Sequence, residues 1–388
     1  FLSKEYAAGV LLLVASVIAI LFMNSPIKDG FRQVLDTHIG FGMFDMSISH
    51  WVQDGLMALF FLFVSLELKR ELISGVLSKP KHAALPVLAS LGGTIMPAVF
   101  YMIFNLNSDY SHGWSIPTAT DIAFSLGVLS LLGNRVPNLL KVFLLALAIV
   151  DDLCAVLIIA IGYSQSMNTE LLSLAVAVFA IMLMLSRINV RRLEVYWVLG
   201  LVLWALLLNS GIHATLAGVL TAFAVPYSAH GAKRQPLLTA EHSLRPWIQF
   251  LIMPFFALCF AGIDFSVLSF DVFTHPVTLG IGAGLLLGKP IGVLGACLMF
   301  RWITGSKLHL PWPKLWGVAF LAGIGFTMSL FMGELAFNDP NVVNEVKTAV
   351  YAASILAGVI GWVILYKVLP KQGHAHSHSY VAPFLTRQ

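Results

Sequence analysis

Charge is scarce in this chain. Asp, Glu, Lys and Arg make up 11% of its 388 residues, against about 25% in an average soluble domain, and a soluble shell cannot be built from so few. Cysteine is nearly absent as well. Cys154, Cys259 and Cys297 all fall inside apolar runs without CxxC spacing, which argues against a disulfide framework or a thiolate metal site and leaves them as small packing residues. The net charge of +4 is spread along the chain instead of forming a basic patch, so nucleic-acid binding gains no support. No pattern suggests a bound organic cofactor, and no stretch reads as a separate soluble domain.

What the chain does have is apolar length. Hydrophobic residues are 58% of the total, gathered in runs near the roughly 20 residues that cross a bilayer core. These runs predict an all-α polytopic membrane protein with twelve transmembrane helices: 7–23, 51–67, 83–104, 115–132, 139–162, 170–186, 194–208, 211–225, 245–261, 276–300, 314–336 and 345–368. The first run lacks a small-x-small cleavage site in LFMNSP and is long for a signal-peptide core, so it reads as a retained helix. Residues 1–388 thus read as a single transmembrane domain, with 370–388 a disordered cytoplasmic tail. The tail's GHAHSHSY histidines need no part in a mechanism. In the long segment 24–50, FGMFDMSIS has the short alternation of a small hairpin.

Basic residues orient these spans. Lys28, Arg32 and Lys347 fall on one side and Lys289 lies within a span, while every other Lys and Arg falls on the opposite side or at its termini. Positive residues favour the cytoplasm, which puts both termini there. Adding or dropping one helix would invert every later loop and destroy the asymmetry. Topology and anionic lipid headgroups account for the basic loops without a further partner.

The ionisable groups left deep in the spans are Asp121, Asp151, Asp152 and Lys289, with Asp54 and Glu334 nearer span ends. Facing lipid, each central Asp would cost roughly 2.5–3.5 kcal/mol, so such residues mark functional sites by default. Asp151 and Asp152 sit side by side in LLALAIVDDLCAVLIIAIGY. Neighbours on a helix point about 100° apart, so the two acids need different surroundings. One can face an aqueous ion site while the other faces a neighbouring helix, where Lys289 is the obvious counter-charge.

Two spans look interrupted. SIPTATDIAFSLGVLSLL carries Pro117, Thr118, Thr120, Asp121, Ser125 and Gly127, and AFLAGIGFTMSLFMG carries Gly323, Gly325, Thr327, Ser329 and Gly333. Proline removes a backbone donor and hydroxyls can satisfy freed backbone groups, which suits an unwound centre lining a wet cavity. Each lies at the centre of a three-helix unit, spans 3–5 and spans 10–12. Four spans separate the units, so they start on opposite sides, as inverted repeats do. Crossed breaks place helix N-termini, partly positive, and C-termini, partly negative, at the bilayer midplane. Asp121 suits the first and Lys289, in GLLLGKPIGVLG, the second.

TATDIAFSLGVLSLLG, ALAIVDDLCAVLIIA, SGIHATLAGV, GKPIG and GIGFTMSLF, in this order and spacing, closely resemble the NhaA family of bacterial sodium/proton antiporters, essentially end to end. The resemblance implies that Asp152 is the main sodium ligand and proton-exchanging carboxylate, with Asp151 essential beside it and Thr120 close to the ion. It implies that Asp121 and Lys289 compensate the broken-helix dipoles, that Lys289 can pair with Asp151, and that Asp54 lies near the external passage. Glu67, Arg70, Glu71, His213, Glu241 and His242 resemble the family's pH-responsive cytoplasmic region. Arg245 stands where the family's best-known member has His, and Gln53 precedes Asp54 in place of Asn, so fine pH tuning is expected to differ. A bacterial inner-membrane location and a homodimer through the first external loop are further implications.

The expected function is electrogenic export of sodium, and of lithium, in exchange for protons by alternating access, under pH control. It needs no enzyme chemistry. Sodium is a hard cation that prefers carboxylate, hydroxyl and carbonyl oxygen, and two acids allow more than one proton per sodium. Two other readings use the same residues: a sodium- or proton-coupled organic-anion symporter, and an intramembrane aspartyl hydrolase pairing Asp121 with Asp151. The adjacent second acid, the central Lys289 and the lack of a GxGD signature argue against the hydrolase.

Overall fold

The computed structural model describes residues 2–163, 168–227, 235–267, 270–305, 307–308, 310–370 and 385–386. Most of the tail expected to be disordered lies outside the described residues; of it, Leu385–Thr386 pair antiparallel with Lys307–Leu308. Helical segments fall within each expected span, several of them interrupted or shortened. By length and composition, six helical runs among the described residues qualify alone as membrane-crossing: Ala83–Asn105, Asn138–Ala160, Thr169–Arg187, Pro236–Phe260, Pro276–Thr304 and Pro340–Val368. The chain divides into two compact units, residues 1–13, 76–155 and 263–388 in the first and residues 14–75 and 156–262 in the second.

In the first unit, helix Pro80–Asn105 begins with proline at its first turn, where the missing N–H costs nothing. Its main partner is helix Lys289–Thr304. The two backbones touch through glycine: a Cβ on Gly92 would run into the carbonyl of Gly292, and one on Gly292 into that of Gly92. Small residues let membrane helices approach this closely without a side chain between them. That approach delivers Lys289 to the interior, where it is fully buried. A π-helical turn, Gly284–Gly288, immediately precedes it, so the expected span 276–300 is one run with a widened turn instead of a uniform α-helix.

Both suspected interruptions are real breaks in this unit. The first segment is a 3-10 helix Ser111–Thr118, an extended stretch through Ala119, and helix Ile122–Ser130. The second is helix Trp312–Leu321, a non-helical turn over Ala322–Gly325, and helix Phe326–Ala336, bent by 46°. Helix Pro340–Val368 packs along the second segment, with the Asp339 side chain accepting from Asn341 N at 2.9 Å as its cap.

The second unit is a bundle of Met57–Ser74, Thr169–Arg187, Leu193–Leu208, Thr215–Ala224 and Pro236–Trp247, the last continuing through a π-helical turn, Ile248–Ile252, into Met253–Phe260. Leu62, Leu66, Tyr196, Leu203, Ala217 and Ala222 form its apolar core. The expected span 211–225 becomes helical only at Thr215, because Gly211 takes φ +85°, a turn conformation that L side chains resist. The anticipated hairpin is present but shifted toward the N-terminus: His38–Ile39 pairs with Met46–Ser47 around a 3-10 turn, Gly42–Phe44.

Candidate functional site

The two breaks of the first unit meet, and side chains bind what the helices leave unpaired. Asp121 is the N-cap of Ile122–Ser130, accepting from Phe124 N at 2.9 Å through Oδ1. Its Oδ2 accepts from Thr327 N at 3.1 Å and from the Thr327 hydroxyl, so one carboxylate serves the N-terminal turns of both interrupted helices. Its own backbone N–H donates to Ile324 O at 2.7 Å. A carboxylate at two partly positive helix ends is stabilised by dipoles and N–H donors together.

The C-terminal ends find different partners. Lys289 Nζ donates to Thr118 O, the last carbonyl of the 3-10 half-helix. At the end of Trp312–Leu321, Ser125 Oγ donates to Leu321 O at 2.8 Å and Thr120 Oγ1 lies 2.8 Å from Ala322 O. Lys289 therefore serves one negative end, and neutral hydroxyls serve the other. Ser329 Oγ ties the segments once more, donating to Ile116 O at 2.7 Å.

Asp151 stands against this crossing. Its Oδ2 is 2.6 Å from Lys289 Nζ and 2.7 Å from Thr120 Oγ1, and its Oδ1 accepts from Ser90 Oγ at 2.6 Å. Lys289 and Asp151 are both removed from water, so the pair's attraction must offset a large desolvation penalty; good geometry and added hydrogen bonds are what make that possible. Asp152, next along helix Asn138–Gly162, is 1% exposed and points about 100° away around the helix. The structure thus brings Thr120, Asp121, Asp151 and Lys289 into one buried cluster with Asp152 on its flank. Ser90 is the member that sequence reasoning missed.

The remaining candidates belong to the second unit and form two groups. Asp54 lies in a π-helical turn, Trp51–Leu56, where its carbonyl accepts from Trp204 Nε1 at 2.8 Å and its carboxylate is 3.8 Å from His50 Nε2. His213 interacts electrostatically with Asp54, which sets it apart from the group it was expected to join. That group is a cluster of ion pairs: Arg70 Nε to Glu241 Oε2 at 2.9 Å, Arg70 Nη2 to Glu71 Oε1 at 3.1 Å and to Glu67 Oε1 at 3.6 Å. Arg245 closes it, 2.7 Å from Glu241 and 3.5 Å from Glu67, so the position that departs from the family pattern is a full member. His242 faces outward, exposed.

Two residues from Glu67, Lys69 turns its ammonium onto the end of helix Thr215–Ala224, donating to Phe223 O at 2.6 Å and to Val225 O. A cation at a helix C-terminus satisfies orphan carbonyls and complements the dipole. Burial nevertheless pushes this amine down to about 8.

Comparison with known proteins decides which fold family this arrangement serves. The family model described as Na+/H+ antiporter 1 matches residues 1–365. The chain belongs to the Na+/H+ antiporter 1 family. A Caulobacter vibrioides protein named Na(+)/H(+) antiporter NhaA is 47% identical over 371 residues, covering 94% of this chain and 89% of the relative. A Shewanella amazonensis protein of the same name is 46% identical over 386 residues, 96% and 97% of the two chains, and one from Rhizobium etli is 46% identical over 374 residues, 94% of each. This Na+/H+ antiporter 1 family member is a multi-pass helical membrane protein, and its family membership makes it a transporter and not an enzyme.

Proposed function

We propose that this antiporter exports sodium, and also lithium, in exchange for protons across a bacterial inner membrane, with Asp152 as the ion ligand that exchanges a proton for the cation. The carrying observation is the buried cluster at the two breaks, in which Lys289 and Thr120 bind Asp151 and in which Asp121 and Lys289 bind helix ends, while Asp152 sits buried alongside on the same helix as Asp151. Sodium needs oxygen ligands. Asp152, Asp151, Thr120 and the unwound backbone at the breaks can supply them, and no resident cofactor takes part.

Exchange follows from competition. Protons and sodium contend for the same carboxylate, and a site open to one side at a time turns contention into antiport. A proton entering from outside displaces sodium outward; sodium binding from inside drives the proton off. With Asp151 and Lys289 also ionisable, more than one proton can cross per sodium, so transport is electrogenic and responds to membrane potential. Asp121 and Lys289 keep the broken helix ends compensated through the cycle.

In this reading, twelve spans with both termini cytoplasmic, and spans 3–5 inverted with respect to spans 10–12, provide the alternating scaffold. Asp54 borders the external passage. Glu67, Arg70, Glu71, Glu241 and Arg245, with His213 and His242, tune the response to pH, and two chains associate through the hairpin of the first external loop. Purified protein in vesicles carrying a sodium gradient should show sodium-dependent proton flux. Asp152→Asn should abolish it while the protein remains folded; normal transport by Asp152→Asn overturns the assignment.

A further inference from the structure

Helix Pro340–Val368 opens with a row of residues that each hold a different neighbouring segment. Asn344 takes the stretch after Met253–Phe260: its Oδ1 accepts from Asp264 N and its Nδ2 donates to Asp264 O, both at 3.0 Å. Glu345 takes the start of the run Pro276–Thr304, with Oε2 2.7 Å from His275 Nδ1. Lys347 takes the end of Phe326–Ala336, 3.0 Å from Glu334 Oε1. All of these residues belong to the first unit, at the end of it that the proposed topology turns outward.

One of these three staples contains a group that changes charge near neutrality. An amide does not titrate, a lysine–carboxylate pair holds its charges well past neutral pH, and histidine is the side chain whose charge changes between about pH 5 and 8. His275 Nδ1 and Glu345 Oε2 are closed off from water, and no further hydrogen bond reaches either atom among the described residues. Two bare lone pairs at 2.7 Å would repel, so the contact needs a proton between them. His275 is also the N-cap residue of Pro276–Ala283, without a side-chain cap bond. A cation there opposes the helix dipole, and the Glu345 carboxylate offsets it. With the imidazole charged, the contact is an ion pair. With the imidazole neutral, Nδ1 either donates an ordinary hydrogen bond or, in the other tautomer, turns a lone pair on the carboxylate. Either way the hold weakens on the run that leads to Lys289.

Neighbouring groups do not take over the contact. The Tyr110 ring lies edge-on to His275, its centroid 5.0 Å away, and the Tyr101 hydroxyl is spent on Tyr110 O. Asp339 interacts electrostatically with Glu345 and adds negative charge beside it. Lys347 is engaged by Glu334, and Asp264 Oδ1 by Ser266. Asp109, His112 and Asp271 are exposed. We propose that His275 and Glu345 form a pH-dependent catch, which pins the start of the Lys289-bearing run to helix Pro340–Val368 while His275 is charged and loosens as it loses its proton. The catch rests on the proposed topology only for the side it faces, and it stands whichever carboxylate exchanges sodium.

Hydrogen–deuterium exchange of the purified full chain, corrected for the intrinsic rate at each pH, tests it at about pH 6 and about pH 9. In wild type, protection of the amides of Pro276–Ala283 should fall about three- to tenfold between the two, the worth of turning a charged contact into a partly neutral one. His275→Gln and Glu345→Gln should show the lower protection already at about pH 6 and no further fall. The amides of Phe326–Ala336, whose end is held by Glu334 and Lys347, are the reference and should change far less in all three proteins. Equal wild-type protection at the two pH values, a fall in His275→Gln as steep as in wild type, or an equal fall in Phe326–Ala336 overturns the proposal. Where one variant gives no single gel-filtration species, the wild-type fall and the other variant decide.

Discussion

The Lys289–Asp151 pair makes a demanding prediction because both charges are fully out of water. Removing one partner of such a pair leaves the other charge buried and uncompensated, which costs about 3–5 kcal/mol. Lys289→Met strands the Asp151 carboxylate with only the hydroxyls of Ser90 and Thr120. Asp151→Asn strands the Lys289 ammonium on the Thr118 carbonyl. The double variant Asp151→Asn/Lys289→Met contains neither charge, and the Asn amide accepts from one of the Ser90 and Thr120 hydroxyls through its oxygen and donates from its NH2 to the oxygen of the other. Only the Thr118 carbonyl then lacks its donor, a loss of about 1–3 kcal/mol. Independent effects would sum to about 6–10 kcal/mol, so the double variant should be more stable than either single one. Unfolding of the purified protein by SDS in mixed micelles, followed by tryptophan fluorescence, measures all four states. If the single costs add to within about 0.5 kcal/mol in the double variant, the pair is not a coupled buried pair and the argument fails.

Asp121→Ala should cost about 2–4 kcal/mol in the same assay, because two helix N-termini lose a cap at once, and Asp121→Asn, which keeps acceptor oxygen, should cost less; equal losses would show that charge and not capping holds the crossing. Gly92→Ala would push a methyl into the Gly292 carbonyl and to 2.8 Å from Ala296 Cβ, an overpacking cost of about 1–3 kcal/mol that Gly92→Ala unfolding curves would reveal. Lys69 should give the second unit a pH signature. Its ordinary value of 10.5 falls to about 8 in the fold, so between those pH values the unfolded chain holds a proton that the folded chain has released, and stability rises with pH. Below about 8 both states carry the charge and the contribution is flat. Wild type should therefore gain stability relative to Lys69→Met as pH rises from about 8 to 10.5; a constant difference across that window refutes it.

The charges were legible in the sequence because the bilayer makes them conspicuous. Asp121, Asp151 and Lys289 stood out against apolar runs, and Pro117 and the glycines around Gly323 and Gly325 marked the breaks that the fold contains. The π-helical turns at Trp51–Leu56, Ile248–Ile252 and Gly284–Gly288 left no such mark, since a segment apolar on nearly every side has no sharp stripe whose phase an extra residue could be seen to shift. Pairing across the sequence was also hidden: Arg70 and Glu241 meet at 2.9 Å only because two helices pack side by side, and His213 is drawn to Asp54 instead.

Hydroxyls were hidden for a deeper reason. A serine or threonine in a membrane helix can always return its proton to its own backbone one turn back, as Thr94 does to Ser90 O at 3.0 Å and Thr348 to Asn344 O at 2.8 Å. Ser90, Ser125 and Ser329 instead reach across to Asp151, Leu321 O and Ile116 O, and nothing in residue type or spacing separates the two habits. Thr120 carries the point furthest. Its hydroxyl lies within hydrogen-bonding distance of both Asp151 Oδ2 and Ala322 O, yet it has one proton to give, so at any instant one of these acceptors depends on a shared or longer bond. The groups that hold the buried charges are thus oversubscribed at the place where the two helices break, and a small rotation of one hydroxyl is enough to redistribute bonding between a carboxylate and a helix end.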